Sequence, residues 1–452
     1  MLSEGALVQR LSGLVGQEHV VAGPGAAQYA VDTQVPRAVA FPGSVEEVSA
    51  ILAFASAEGL KVVPWGSGTK MAFGGIPERV DLVLGLSRLS GAVDHEPGDM
   101  TASFRAGTLL KEAQAVLGRH GQFIALDPPD ADRATLGGIL ATNSSGPRRL
   151  RYGASRDLLI AIRVVHAGGK VTKAGAKVVK NVTGYDMGKL YIGSLGTLGV
   201  IVEASFRLYP VPPVEKTCLA PVAAVEGAGG IIARILESAV VPFAVELLNP
   251  EACRRVAERA GLPWPKASYG LAVAIGSVRQ EAVDAQLMTV SRLCREAGVP
   301  EAHVLDGQTH DAFWREARDF ALGDGLQAIL KASVLLTRVA EAVRAGEEVA
   351  TKQGLTLGVV SEAASGIIRY HLAGDAASPE RFQDGVAETV NRLRALAQQA
   401  EGNLVVLKAP PEVKRRVDVW GMPGTALPFM RRPKEVFDPQ RILNPGRFVG
   451  GI

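Results

Sequence analysis

Cysteine is scarce in this chain: Cys218, Cys253 and Cys294 are the whole complement of 452 residues, far apart and without a C-x-x-C pair. An iron–sulfur cluster normally takes four thiolates, so the chain cannot hold one by itself. Inert thiols of a reducing, cytoplasmic compartment are the expectation. Aromatic residues make up only 5% and the net charge is +3, with no basic stripe interleaved with aromatics, which leaves no surface for nucleic acid. No apolar run reaches the ~18 uncharged residues of a membrane span. The N-terminal stretch MLSEGALVQRLSGLVGQEHVV is broken by acidic and polar residues where a signal peptide needs a continuous apolar core, and it reads as an amphipathic helix. Internal repeats and low-complexity tracts are also lacking.

What the chain has is glycine, 51 residues of it, placed singly and in small clusters beside apolar runs, as where backbone must approach something closely. The length calls for two domains or one with a large insert. From Ala38 to Ile201, short strand-like runs (61–65, 81–86, 158–172) alternate with helical spacing (45–59, 108–121), an α+β pattern without a regular βαβ repeat. Prolines 210, 212 and 213 mark a boundary. Beyond it, strands (268–278, 354–363) alternate with Ala-rich helices (280–298) as a second α+β domain. The last segment returns to turn chemistry, with Phe437, Ile442 and Leu443 suited to packing back on the first domain.

Three stretches carry chemistry. In PWGSGTK, Pro64 to Lys70, a strand ends in Gly66-Ser67-Gly68-Thr69; successive N–H groups there can bind an anion, with hydroxyls and the Lys70 charge nearby. The Walker spacing is missing, and a plain hairpin turn fits these residues as well. In DPPDADRATLGGILATNSSGPRRLRYGASRD, Asp127 to Asp157, small hydroxyl and amide side chains alternate with Leu136, Ile139 and Leu140. That composition fits backbone lying against a polar cofactor. In GSLGTLGVI, glycines 193, 196 and 199 imitate half of a dinucleotide fingerprint but lack its strand–helix context and acidic residue.

Together, in this order and spacing, the three loops and the closing FDPQRILNPGR resemble the FAD-binding domain of the vanillyl-alcohol oxidase and p-cresol methylhydroxylase (PCMH-type) family, over nearly the whole chain. The resemblance implies an α+β fold: a two-subdomain FAD-binding domain (1–214), an α+β cap domain (215–408) and a C-terminal segment (409–452) that completes the FAD domain. It implies FAD contacts from Pro64, Trp65, Gly66, Ser67, Gly68, Thr69 and Lys70. From the second stretch it implies Pro129, Thr135, Gly137, Gly138, Thr142, Asn143, Ser144, Ser145 and Tyr152, and from the third Gly196, Thr197, Leu198, Gly199 and Ile201. Asn444 is expected near the flavin edge. The first loop has no histidine, so the FAD is expected to be non-covalent.

Relatives that oxidise 2-hydroxy acids carry H-x-G-D-G-N-x-H, whose histidines bind a divalent metal, and a later E-H-G that supplies the base needed for the hydroxyl proton. Here the matching stretch is SEAASGIIRYHL, with Glu362 and Arg369 where the histidines would stand, and E-H-G is absent. Arginine cannot ligate a cation, so no metal is expected. Arg369 and His371 are left as catalytic candidates, and a lone histidine beside a strand is commonly structural. SSGPRRLRYGASRD, KVVKNVTGYDMGKLYIGSLGTLGVI and the closing segment are similar to the family of the smaller flavin-binding E subunit of bacterial glycolate oxidase complexes. That similarity implies a small 2-hydroxy acid as substrate, a larger flavin subunit and an iron–sulfur subunit as partners, and a peripheral place at the inner membrane through them. A self-sufficient D-lactate-type dehydrogenase and a non-catalytic flavin scaffold are the alternatives. Arg148, Arg149 and Arg151 suit either an anion clamp or a docking patch; Asn181, Tyr185 and Asp186 suit either a flavin or partner contact or a turn.

Overall fold

The computed structural model describes residues 2–176, 185–265, 267–299, 301–323 and 325–452. Its contacts divide the chain into two compact units. The first comprises Met1–Ser145, Ala154–Val211 and Met422–Ile452; the second comprises Gly146–Gly153 and Pro212–Gly421. The boundary after the first domain falls among the three prolines. The sequence reading differs at three places: residues 146–153, 212–214 and 409–421 are in the second unit.

Besides the two-strand pair of Gln122–Phe123 with Tyr209–Pro210, the described residues of the first unit form two larger sheets. In one, Val20–Ala22, Ala38–Ala40, Leu82–Gly85 and Val62–Trp65 lie in that order, the last three mutually parallel. The amphipathic N-terminal segment is indeed a helix, Glu4–Val15, capped by Ser3 and burying Leu7, Leu11 and Val15. Val45–Glu58 is capped by Ser44 and stopped by Gly59, whose φ of 64° suits a residue without Cβ. Both helices share a core with Leu82 and Leu84. The other sheet is antiparallel, in the order Ala92–Glu96, Thr101–Arg105, Val200–Arg207, Leu159–Val165, Val171–Gly175. The C-terminal segment returns as expected: Val62 N–H donates to the Ile442 carbonyl at 2.7 Å, and the Asn444 N–H to the Val62 carbonyl at 2.8 Å.

The second unit is built on one eight-stranded antiparallel sheet, ordered His303–Asp306, Val214–Val222, Tyr269–Ser277, Ala244–Leu248, Thr356–Glu362, Ile367–Gly374, Leu326–Ser333 and Asn403–Lys408. Helices Val225–Glu237, Gln280–Glu296, Val339–Lys352 and Pro379–Gln399 bury their apolar stripes on one face, through Ile231, Val290, Val343 and Val390. Helices Pro250–Ala260 and Gly307–Arg318 cover part of the other, through Val256 and Phe313. All three cysteines are buried and unpaired. Among the described residues no helix is long and apolar enough to cross a membrane.

Candidate functional site

The first unit contains a cleft that is open to solvent. Its wall begins where strand Val62–Trp65 gives way to the loop 66–70. Gly68 has a φ of 81°, and a Cβ there would lie 2.7 Å from the Trp65 ring; a Cβ on Gly66 would lie 2.3 Å from Thr135 Oγ1. Both glycines are therefore required by space, one of them also by conformation. Thr135 caps the helix Leu136–Thr142 by accepting the Gly138 N–H, which fixes the opposite wall.

Of the expected cofactor residues, Pro64, Gly66, Ser67, Gly68, Thr69, Lys70, Thr135, Gly138, Thr142, Gly196 and Asn444 line this cleft together. The rest lie outside its lining. Trp65 packs edge-on against Tyr29 at 5.5 Å behind the loop. Pro129 takes a hydrogen bond from Lys70 Nζ on its carbonyl, at 2.7 Å. Gly137 is pressed against Ala106. Asn143 turns the chain at a φ of 48°, and Ser144 closes that turn by donating to the Ile139 carbonyl; Ser145 is buried beyond it. Thr197 and Leu198 offer their carbonyls to Lys434 and His166. Gly199 and Ile201 meet Val164 on the neighbouring strand. Tyr152 belongs to the second unit. Lys70 is not a free charge: it pairs with Asp130 at 3.2 Å. Burial raises the Asp130 pKa, but hydrogen bonds from Arg133 and Lys70 hold it below the ordinary value.

Five cleft residues went unread in the sequence, Met71, Phe73, Ala141, Leu195 and Arg447. Arg447 carried a signal, three residues after Asn444 in LNPGR. Buried at 3% exposure, it donates to the carbonyls of Met71 and Phe73. Burial brings its pKa down to about 10, against the pull of Asp32. Asn444 stands in the left-handed region at φ 48°. It donates Nδ2 to the Leu195 carbonyl at 2.7 Å, while its buried Oδ1 has no hydrogen-bond partner among the described residues. A buried acceptor without a donor is costly. A cleft walled by space-limited glycines and edged by such an acceptor fits a cofactor that brings polar groups of its own.

In the second unit, Arg369 Nη2 lies 2.5 Å from Glu362 Oε1, and Arg149 Nε lies 3.8 Å from Glu362 Oε2. The positions expected for metal-binding histidines are thus joined in an ion pair, and no group of three or more His, Cys, Asp or Glu among the described residues could hold a metal. His371 is buried and packs edge-on against Phe320 at 4.9 Å. Burial first, then Arg369 and Lys408, lowers its pKa to about 3, so it stays neutral and serves the core. Arg148 forks onto Glu215 at 2.8 and 2.6 Å and lies over the Phe243 ring. Arg151 reaches the Gly276 carbonyl at 3.5 Å. Tyr185 is 94% exposed, Asp186 pairs with Lys189, and Asn181 lies outside the described residues.

Residues 36–175 match the model of the FAD binding domain, and residues 211–405 with 420–448 match that of the C-terminal domain of FAD linked oxidases. The chain belongs to the FAD-linked oxidases. It binds FAD through a PCMH-type domain. It is 27% identical to the glycolate oxidase subunit GlcD of Bacillus subtilis (strain 168), covering 91% of this chain and 89% of that protein. It is 29% identical to the D-2-hydroxyglutarate dehydrogenase of Xanthomonas citri pv. viticola, covering 92% and 89%. The solved structure of p-cresol methylhydroxylase with substrate bound superposes with a TM-score of 0.74 over 97% of this chain and 95% of that one, at 16% identity. That likeness establishes the fold.

Proposed function

We propose that this oxidoreductase is the flavin-binding subunit of a complex that dehydrogenates a small 2-hydroxy acid of the glycolate kind, with a larger flavin subunit and an iron–sulfur subunit as partners. Above all, the Glu362–Arg369 ion pair supports this reading. One unit keeps a cleft suited to FAD, while the other has a guanidinium where the resemblance implies a metal ligand. Bound FAD supplies the capacity to accept a hydride from the carbon that carries the hydroxyl group. The chain's own part is to hold the cofactor, through the 66–70 loop, the Leu136–Thr142 helix, Leu195–Gly196 and Asn444, without a covalent link. His371, the histidine expected as a candidate base, is buried and too weakly basic to take the hydroxyl proton. Three buried cysteines, too few for a cluster, are consistent with electrons leaving through a partner.

The test is anaerobic addition of glycolate or D-lactate to the purified chain and to the same chain recovered with its partners, with flavin and iron counted in each. The expected result is FAD without iron in the isolated chain, and bleaching of its flavin only in the assembly. Rapid bleaching of the isolated chain would overturn the reading in favour of a self-sufficient dehydrogenase.

A further inference from the structure

Three cations and two carboxylates gather on one face of the second unit's sheet. Lys331 and Arg369 stand directly opposite each other on neighbouring strands. Arg369 in turn faces Val360, two positions from Glu362 along the next strand, and Glu362 faces Glu246 on the strand after that. Arg149 approaches Glu362 from the short helix Arg149–Tyr152. Glu246 and Glu362 are 0% and 2% exposed. Three positive groups against two negative leave an excess of one positive charge.

Lys331 is the odd member. Among the described residues its ammonium makes no hydrogen bond and no salt bridge. Burial, and then the Arg369 charge, bring its pKa down to about 8, with Glu362 pulling it up and Arg149 pushing it further down. Burial is the larger cause, and an anion that reached both Lys331 and Arg369 would relieve the repulsion that adds to it. Opposed residues on paired strands have Cβ atoms about 5 Å apart, a spacing at which a lysine point charge and an arginine fork can both meet one carboxylate.

We propose that Lys331 and Arg369 form a metal-free site for the carboxylate of a small acid, with Glu362 as the internal counter-ion against which that carboxylate competes for Arg369. The proposal rests on the functional reading above only for the class of acid. A bound carboxylate stabilises the ammonium of Lys331, so binding takes up a proton when pH lies above about 8. The groups around Lys331 are Arg369 and His371 on one neighbouring strand, Lys408 on the other, and Glu362, Glu246 and Arg149 beyond. His371 stays neutral through this range because its pKa is about 3.

Calorimetry of the FAD-loaded full chain with oxalate, which has no C–H to oxidise, tests this. Oxalate is expected to bind without added metal and equally well in EDTA, and to take up protons above the Lys331 pKa. Lys331→Met should weaken binding about tenfold, the worth of one charge-assisted hydrogen bond. Removing a side chain that has no partner orphans no other group, so this variant should keep its fold. Glu362→Gln should tighten binding by removing the competitor. Binding that requires Mn²⁺ or Zn²⁺, or that is unchanged in Lys331→Met, overturns the proposal. Glycolate-dependent bleaching is read separately, so either reading can fail while the other stands.

Discussion

A methyl group at Gly66 would sit 2.3 Å from Thr135 Oγ1, the atom that caps the helix forming the opposite wall of the cleft. The neighbour cannot yield without giving up its cap, so the methyl must push the loop into the space where the cofactor belongs. Gly66→Ala should therefore cost roughly 1–3 kcal/mol in overpacking, felt in FAD affinity as a loss of about ten- to hundredfold. Flavin absorbance per chain and FAD titration of the stripped protein check it; full flavin content would refute it. In the sequence Gly66 could as well belong to a plain hairpin turn, and it is the resemblance of the three loops together that points to a cofactor. Gly137 and Gly199 read the same way, yet each clears room for the protein itself, at Ala106 in the turn after strand Thr101–Arg105 and at Val164 in strand Leu159–Val165. Sequence shows that a backbone approaches something closely. It does not show whether that something is a ligand or the protein itself.

At the scale of elements, two charged latches hold segments in place, and neither is visible as a motif. Lys434, in the helix Leu427–Phe437, donates to Asp438 at 2.7 Å and to the carbonyls of Thr197 and Leu443 at 2.9 and 2.8 Å. It thereby ties the C-terminal segment to the glycine loop beside the cleft. Lys434→Met leaves Asp438, 0% exposed, without its counter-charge, which should cost about 3–5 kcal/mol in denaturant unfolding. Arg148 likewise fastens residues 146–153 to strand Val214–Val222 through Glu215. Burial raises the Glu215 pKa, but hydrogen bonds from His310 and Arg148 outweigh it and bring the value from 4.5 to about 2. The folded value is the lower one, so the stabilisation is complete above about 4.5 and lost as pH falls toward 2. It amounts to about 2–4 kcal/mol. Acid unfolding of Arg148→Met should show most of that loss already at neutral pH and a flatter slope across the window; an unchanged acid slope would count against the latch. The helices were readable from periodicity and caps such as Ser44 and Gly59. The latches were not, since Arg148 and Glu215 are joined only once the eight-stranded sheet has formed, and its strand order is not the order of the chain.

Across the whole molecule, the cleft takes its walls from residues 64–73, 135–142, 195–196 and 444–447, stretches that no local propensity brings together. A ligand that touches all four binds the folded state alone. FAD at about a hundred times its dissociation constant should then add about 2.7 kcal/mol and raise the melting temperature of a unit this size by roughly 5–10 °C. The last of the four stretches is the most exacting. Ile442 and Leu443 are 0% exposed in the first unit's core, and they carry Asn444 and Arg447 to the cleft edge by pairing with Val62. A chain ended after Arg441 loses three buried side chains, Ile442, Leu443 and Ile452, at about 2–5 kcal/mol each when judged from large-to-small changes, together with the acceptor and the guanidinium at that edge. It should melt lower without FAD and, more tellingly, gain little or nothing when FAD is added. Asn444→Leu separates the two losses, because it spares the core side chains; it gives up the hydrogen bond to the Leu195 carbonyl and puts a leucine at a φ of 48°. Its melting temperature without FAD should fall less than that of the shortened chain, while the FAD-dependent rise shrinks. A variant that keeps the full rise would show that the C-terminal segment supports the fold without contributing to the cofactor site.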